Sequence, residues 1–189
     1  AIRMHQNLVE REGLKEDQRQ HALAELGHDY LKAGLLDRAE DIFVGLRGTG
    51  QSEAALNFLL EIYQQEKEWE KAIEVTRSLE KETGQSWQKE VAEFRCEMAA
   101  VEATHSRPDS ARAQLEEALK ENRKCVRASI QLGDLAAAAG HHDEAIEHWK
   151  RVETQNPVFL ALVAHRLLKS FQALGQPASG LTLLGAPDM

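Results

Sequence analysis

Leu26-Gly27-His28-Asp29-Tyr30-Leu31-Lys32-Ala33-Gly34-Leu35-Leu36-Asp37-Arg38-Ala39-Glu40-Asp41-Ile42-Phe43 holds the end of one amphipathic helix, a glycine break and the start of another. Its two landmarks, Gly27 and Ala39, recur at the same separation as Leu60 and Ala72, Ala99 and Ala111, Gly133 and Ala145, and Leu168 and Gly180. The members are always twelve apart (27 to 39), whereas the steps between pairs run 33, 39, 34 and 35 (27 to 60 to 99 to 133 to 168). A fixed distance inside a unit, with slack only between units, marks helix-turn-helix repeats joined by adjustable linkers. A truncated copy, Ala1-Ile2-Arg3-Met4-His5, opens the chain, and a degraded one, Gly180-Leu181-Thr182-Leu183-Leu184, closes it.

Working outward, apolar periodicity predicts paired helices over 16–32 and 36–46, 52–65 and 70–81, and 87–104 and 109–121. Two further pairs are predicted over 126–139 and 143–153, and over 158–174 and 177–184. The expected organisation is the second helix of a truncated repeat over 1–15, then repeats over 16–50, 51–85, 86–124 and 125–157. A degenerate C-terminal repeat over 158–189 completes one continuous solenoid domain. The fold class is all-α, a right-handed superhelical solenoid in which each repeat buries surface only against its neighbours. Small residues at Gly27, Ala39, Ala72, Ala111, Gly133 and Ala145 let antiparallel helices approach, and an Ala39→Leu or Ala145→Leu change would overpack that contact. Tyr30, Phe43 and Trp149 are expected to fill the gaps toward the neighbouring repeat.

Composition narrows the function. A net charge of −8, with no basic run longer than Arg123-Lys124, argues against nucleic acid, whose phosphates demand clustered cations. Cys96 and Cys125 have no CxxC spacing and read as two reduced cytosolic thiols on or beside helices. Neither a bilayer-spanning apolar stretch nor a signal peptide is present. Because Ala1 sits at a landmark with no front helix ahead of it, the reading expects a fragment whose anchor lies elsewhere.

The frame Leu26-Gly27 to Tyr30, then Ala39 to Phe43, and the positions Gly133, Ala145, Trp149 and Pro157 resemble tetratricopeptide repeats. Around Ala99 the pattern departs, since Glu102 stands where the aromatic would be. Longer stretches resemble, in order, the lipopolysaccharide assembly protein B family of bacterial adaptors. They are Ala1 to Leu8, Gln18-Arg19, Leu26 to Phe43, Ile62-Tyr63-Gln64, Glu68 to Val75, Phe94 to Glu97 and Val126 to Ile130. That resemblance implies a non-enzymatic adaptor on the cytoplasmic face of the inner membrane that regulates lipopolysaccharide synthesis. It implies protein partners: the inner-membrane AAA protease, the deacetylase committing to lipid A synthesis, and a lipopolysaccharide-sensing membrane regulator. It also implies an N-terminal membrane helix and a rubredoxin-like module holding iron or zinc in the parent protein, neither of which lies in this stretch. The piece itself is expected to be soluble and to hold no cofactor.

No catalytic frame competes with a binding role: G-x-S-x-G and phosphate-binding glycine loops are absent. His141-His142-Asp143-Glu144 reads as a solvated turn with Asp143 capping the next helix, because adjacent histidines in a turn diverge. His21 and His28, seven apart, share a helix face but lack a third ligand, so they read as polar groove residues rather than metal ligands. Mapping the usual inward positions of such repeats gives a partner-binding groove of His21, His28 and Lys32, then Asn57, Glu61 and Gln64. Glu93 and Cys96, Arg127 and Asp134, and His165 and Lys169 continue it. Its mixed charge suits a peptide or helix held by hydrogen bonds and ion pairs. Two other readings use the same repeats: a peptide-binding co-chaperone, and an oligomerisation scaffold in which the half-repeat at Ala1 pairs with another copy.

Overall fold

Five turns in the chain are built alike. In the computed structural model, which describes residues 1–183, the backbone turns left-handed seven positions after each landmark. The φ angles there are 72° at Gly34, 59° at Lys67, 57° at Ser106, 81° at Gly140 and 72° at Gly175. The next residue's N–H then donates back to the last turn of the helix: Leu35 to the Tyr30 carbonyl at 2.9 Å, and Glu68 to Tyr63 at 2.8 Å. Arg107 to Glu102, His141 to Ala136 and Gln176 to Phe171 repeat it at 3.0, 2.9 and 2.8 Å. This bond ends each front helix and aims the chain into its partner.

A glycine enters the left-handed region freely, whereas Lys67 and Ser106 must hold a Cβ against the backbone there. Lys67→Gly and Ser106→Gly should therefore each raise stability by about 0.5–1 kcal/mol, the relief of that strain less the entropy added to the unfolded chain. Urea unfolding of the two variants checks this, and a loss of stability in both would remove the strain from the account.

Among the described residues there are eleven α-helices and no strand, so the expected all-α repeat class is the one observed. The chain divides into two compact units, Ala1–Trp87 and Gln88–Met189. In the first, α1 (Ile2–Val9), α2 (Glu16–Lys32), α3 (Leu36–Gly45), α4 (Ser52–Glu66) and α5 (Trp69–Thr83) each pack on the next. Polar bonds seat α1 on α2: His5 Nδ1 lies 2.8 Å from Asp29 Oδ2, and Gln6 Nε2 donates to the Tyr30 hydroxyl at 2.8 Å. The predicted apolar stripes form the core, with Leu26, Tyr30, Phe43, Leu46, Leu56, Leu59, Tyr63, Val75 and Leu79 all buried.

The second unit contains α6 (Gln88–Thr104), α7 (Pro108–Glu121), α8 (Val126–Ala138), α9 (His142–Gln155), α10 (Leu160–Ala173) and α11 (Pro177–Leu183). Pro108 takes the first helical position of α7, where its missing N–H costs nothing. Two expectations change here. The helix expected over 158–174 is split, because Pro157 forces Asn156 out of the helical region and a 3-10 turn runs Pro157–Phe159 before α10 begins. Asp143 does not cap α9; His141 holds that position without a side-chain bond, and Asp143 falls in the first turn, where its charge suits the helix dipole. The expected helix end at Leu184 lies outside the described residues.

Trp149 packs toward the neighbouring repeat as expected, against Val163 and Leu167 of α10. Its ring also fills the slot left by Gly133 within its own repeat, donating Nε1–H to the Ile130 carbonyl at 3.2 Å. Phe43 does both jobs: it occupies the slot beside Gly27 and stacks on Phe58 of the following repeat, centroids 4.8 Å apart. A volume rule unites these positions. Sixteen residues after the landmarks Gly27, Leu60, Ala99 and Gly133 stand Phe43, Thr76, Leu115 and Trp149. All eight are buried; Gly27 and Gly133 face the large rings of Phe43 and Trp149, Ala99 shares a cluster with Leu115, and the large Leu60 stands in the same register as the small Thr76.

Candidate functional site

On α2 and α4 of the first unit the predicted groove residues do not converge. His21 is exposed and lines a cavity of about 540 Å³ with His5, Leu8, Asp17 and Glu25, opening between α1 and α2. His28 is half-buried with its ring 5.1 Å from Phe58, so it serves the packing between α2 and α4. Lys32, Asn57, Glu61 and Gln64 are exposed. Asn57 Nδ2 donates to the Glu53 carbonyl one turn back, and Glu61 accepts from Gln65 one turn on, at 2.9 and 3.4 Å.

In the second unit the front helices bring several of them together. Arg127, in the first turn of α8, reaches Glu97 at 2.6 Å and Glu93 at 3.5 Å across to α6. Burial works against the Arg127 charge, but these carboxylates outweigh it and hold the guanidinium protonated more firmly than usual. Beside them opens a cavity of about 590 Å³. Val126, Ile130, Phe159 and Leu162 give it an apolar wall, and Lys89, Lys124 and Arg127 give it cationic edges. Gln131 and Gln155 also line it, and the side-chain oxygen of each is buried without a hydrogen-bond donor.

Asp134, His165 and Lys169 share a second cavity of about 410 Å³ between α8 and α10. There Arg166 Nε donates to Asp134 Oδ1 at 2.8 Å, and His142 Nδ1 lies 3.0 Å from the Ser170 hydroxyl. On the back helices Arg112 of α7 binds Glu144 of α9, which holds the Glu144 carboxyl below its ordinary range. Among the described residues there is no group of three or more histidine, cysteine or acidic side chains placed to hold a metal.

Glu97, Arg166, Lys89, Lys124 and the exposed apolar step Val158, Phe159 and Leu162 were not among the residues expected at the groove. A signal for two of them was present in the charge pattern. Opposite charges about one repeat apart pair on equivalent faces of successive hairpins: Glu40 with Lys71, 31 apart, and Glu97 with Arg127, 30 apart. Arg112 with Glu144 and Asp134 with Arg166 are each 32 apart. Cys96 did not reach the groove: it is fully buried, its sulfur 3.8 Å from that of Cys125.

The comparisons with known proteins fit this geometry. Residues 96–157 match the tetratricopeptide repeat. Along 94% of its length the chain is 37% identical to lipopolysaccharide assembly protein B of Escherichia coli K12. It is 33% identical, over 93% of its length, to the protein of that name from Haemophilus influenzae. The chain spans 46% and 44% of these relatives, about half of each. Two crystal structures of MamA share the helical-repeat solenoid fold. One, 18% identical, has a TM-score of 0.53 and 88% of both chains covered. The other, 19% identical, has a TM-score of 0.51 with 83% of this chain and 89% of that chain covered.

Proposed function

From its similarity to lipopolysaccharide assembly protein B along nearly the whole chain, we propose that these repeats are the protein-binding part of an adaptor regulating lipopolysaccharide synthesis. That similarity is the single observation that carries the reading. The adaptor is non-enzymatic: it holds the deacetylase committing to lipid A synthesis near the inner-membrane AAA protease, and a lipopolysaccharide-sensing membrane regulator opposes it. Tethering works by concentration, because a substrate held beside its protease meets it as an intramolecular partner. The iron- or zinc-bearing module and membrane helix expected of the parent protein belong to the same proposal. The described residues include no helix long and apolar enough to cross a membrane.

For docking we favour the cavity between α6, α8 and the Pro157–Phe159 turn. Phe159 and Leu162 are 40% and 55% exposed beside it, an apolar step that a partner's side chain would cover. Lys89 and Lys124 at its edges would favour an acidic segment. A pull-down with the deacetylase, protease and regulator tests both levels. At least one is expected to be retained, and Phe159→Ala with Lys124→Glu should cut retention about tenfold without changing the melting temperature, since both side chains are exposed. Retention of none sinks the adaptor reading; retention unaffected by the double variant moves the docking surface elsewhere.

A further inference from the structure

We propose that Cys96 and Cys125 form a redox modification site, a thiol pair that a small hydroperoxide converts to an intramolecular disulfide. The inference does not rest on the adaptor reading. It rests on three placements. The two sulfurs are already 3.8 Å apart although the residues lie on different helices. Cys125 lines the cavity of about 590 Å³, whereas Cys96 lies beneath it, enclosed by Ala92, Ala99, Ala118 and Ala128. Cys125 is the N-cap of α8, with extended backbone at φ −71° and ψ 94°, so its side chain sits before the helical rotamer restraint begins.

These placements divide the work. The hydrogen bond from Cys96 favours the Cys125 thiolate, as does the Ala128 N–H in the first turn of α8, while burial and the Glu93 charge oppose it. Cys96 is pushed in the other direction by that same bond, which it donates, and by burial. Glu93 Oε1 stands 3.6 Å from the Cys125 sulfur and can take its proton, while Arg127 steadies the Glu93 charge at 3.5 Å. A peroxide entering the cavity meets Cys125 first. The thiolate attacks the O–O bond; an S–O bond forms, the O–O bond breaks, and the departing alkoxide or hydroxide takes a proton. Cys96 then attacks the Cys125 sulfur, forming the S–S bond and releasing hydroxide, which leaves as water with the Cys96 proton. Two thiols and one hydroperoxide give one disulfide, one water and one alcohol, or two waters from hydrogen peroxide.

The crosslink would tie the middle of α6 to the start of α8 and enclose all of α7 between them. Unfolding then has to release a shorter, looped chain, so the oxidised protein should melt several degrees above the reduced one.

The test is hydrogen peroxide on the reduced, folded chain, read by intact mass and thiol titration. The expected result is loss of both thiols together, a mass two hydrogens lower and a monomer on a non-reducing gel, all reversed by dithiothreitol. Cys96→Ser should accumulate a Cys125 sulfenic acid that a 1,3-dione traps, and Cys125→Ser should react about tenfold more slowly or less. Any of three results overturns the proposal: thiols that stay reduced until the chain is denatured, crosslinks formed only between chains, or equal rates for the two variants. The wild-type measurement decides even where a variant fails to fold.

Discussion

Phe43→Ala is expected to destabilise the Ala1–Trp87 unit by about 3–5 kcal/mol, among the largest effects available to a single substitution in this chain. Phe43 is fully buried, and the space it leaves cannot be reclaimed locally, because its neighbour across the hairpin is Gly27. Phe58 loses its stacking partner as well, a further contribution of about 0.5–1.5 kcal/mol in such pairs. Hydrogen exchange localised by mass spectrometry is the suitable measurement, since separate units need not unfold together. Amides of α2 to α4 should lose protection. A cost under about 1 kcal/mol would mean that the slot collapses and that Phe43 does not set the hairpin spacing. The volume rule supplies a rescue: Gly27→Leu with Phe43→Thr copies the Leu60 and Thr76 pair and should recover much of the loss.

Gly133→Ala is expected to cost the Gln88–Met189 unit about 3 kcal/mol, the upper range for overpacking by a single methyl. A Cβ there would enter the indole of Trp149, only 2.6 Å from Cε2. The ring has little room to retreat: it is buried against Val163 and Leu167, and its N–H is committed to the Ile130 carbonyl. At Gly27 the same methyl would sit 2.8 Å from Phe43 Cζ, the far end of a ring that can tilt. Gly27→Ala should therefore be the milder change, and urea unfolding of the two variants ranks them. Trp149→Leu should relieve Gly133→Ala in part, since Ala with Leu is the combination found at Ala99 and Leu115.

The repeat class was legible because helical hairpins write their packing into fixed intervals. Gly27 to Ala39 and Gly133 to Ala145 each mark a close helix approach, and no three-dimensional information is needed to count between them. The positive φ at Lys67 and Ser106 was not legible, because nothing in a lysine or serine announces a conformation both residues normally avoid. Nor was the 3-10 turn after Asn156, where Pro157 was read as a helix stop rather than as the start of a different turn. For the groove, face could be read but convergence could not. Glu93 and Arg127 meet because α6 and α8 lie side by side, whereas Asn57 and Glu61 bond along their own helix. Cys96 and Cys125 were beyond reach for the same reason: their meeting depends on how one hairpin seats against the next, and spacing in the chain carries no record of that.

The inverse sizes across each hairpin bear on how such a chain can change over generations. A landmark residue cannot drift alone: Gly133 tolerates a larger neighbour only after Trp149 shrinks, and Leu60 would lose its fit if Thr76 grew. Each hairpin is thus a locked couple, and viable paths between couples run through compensated double changes. Whole hairpins can be duplicated or deleted intact, but exchanging one helix between two of them would join Leu60 to Trp149, or Gly133 to Thr76. The first is too large for its space and the second leaves it empty. The heritable module is the matched pair of helices, and its members are not individually interchangeable.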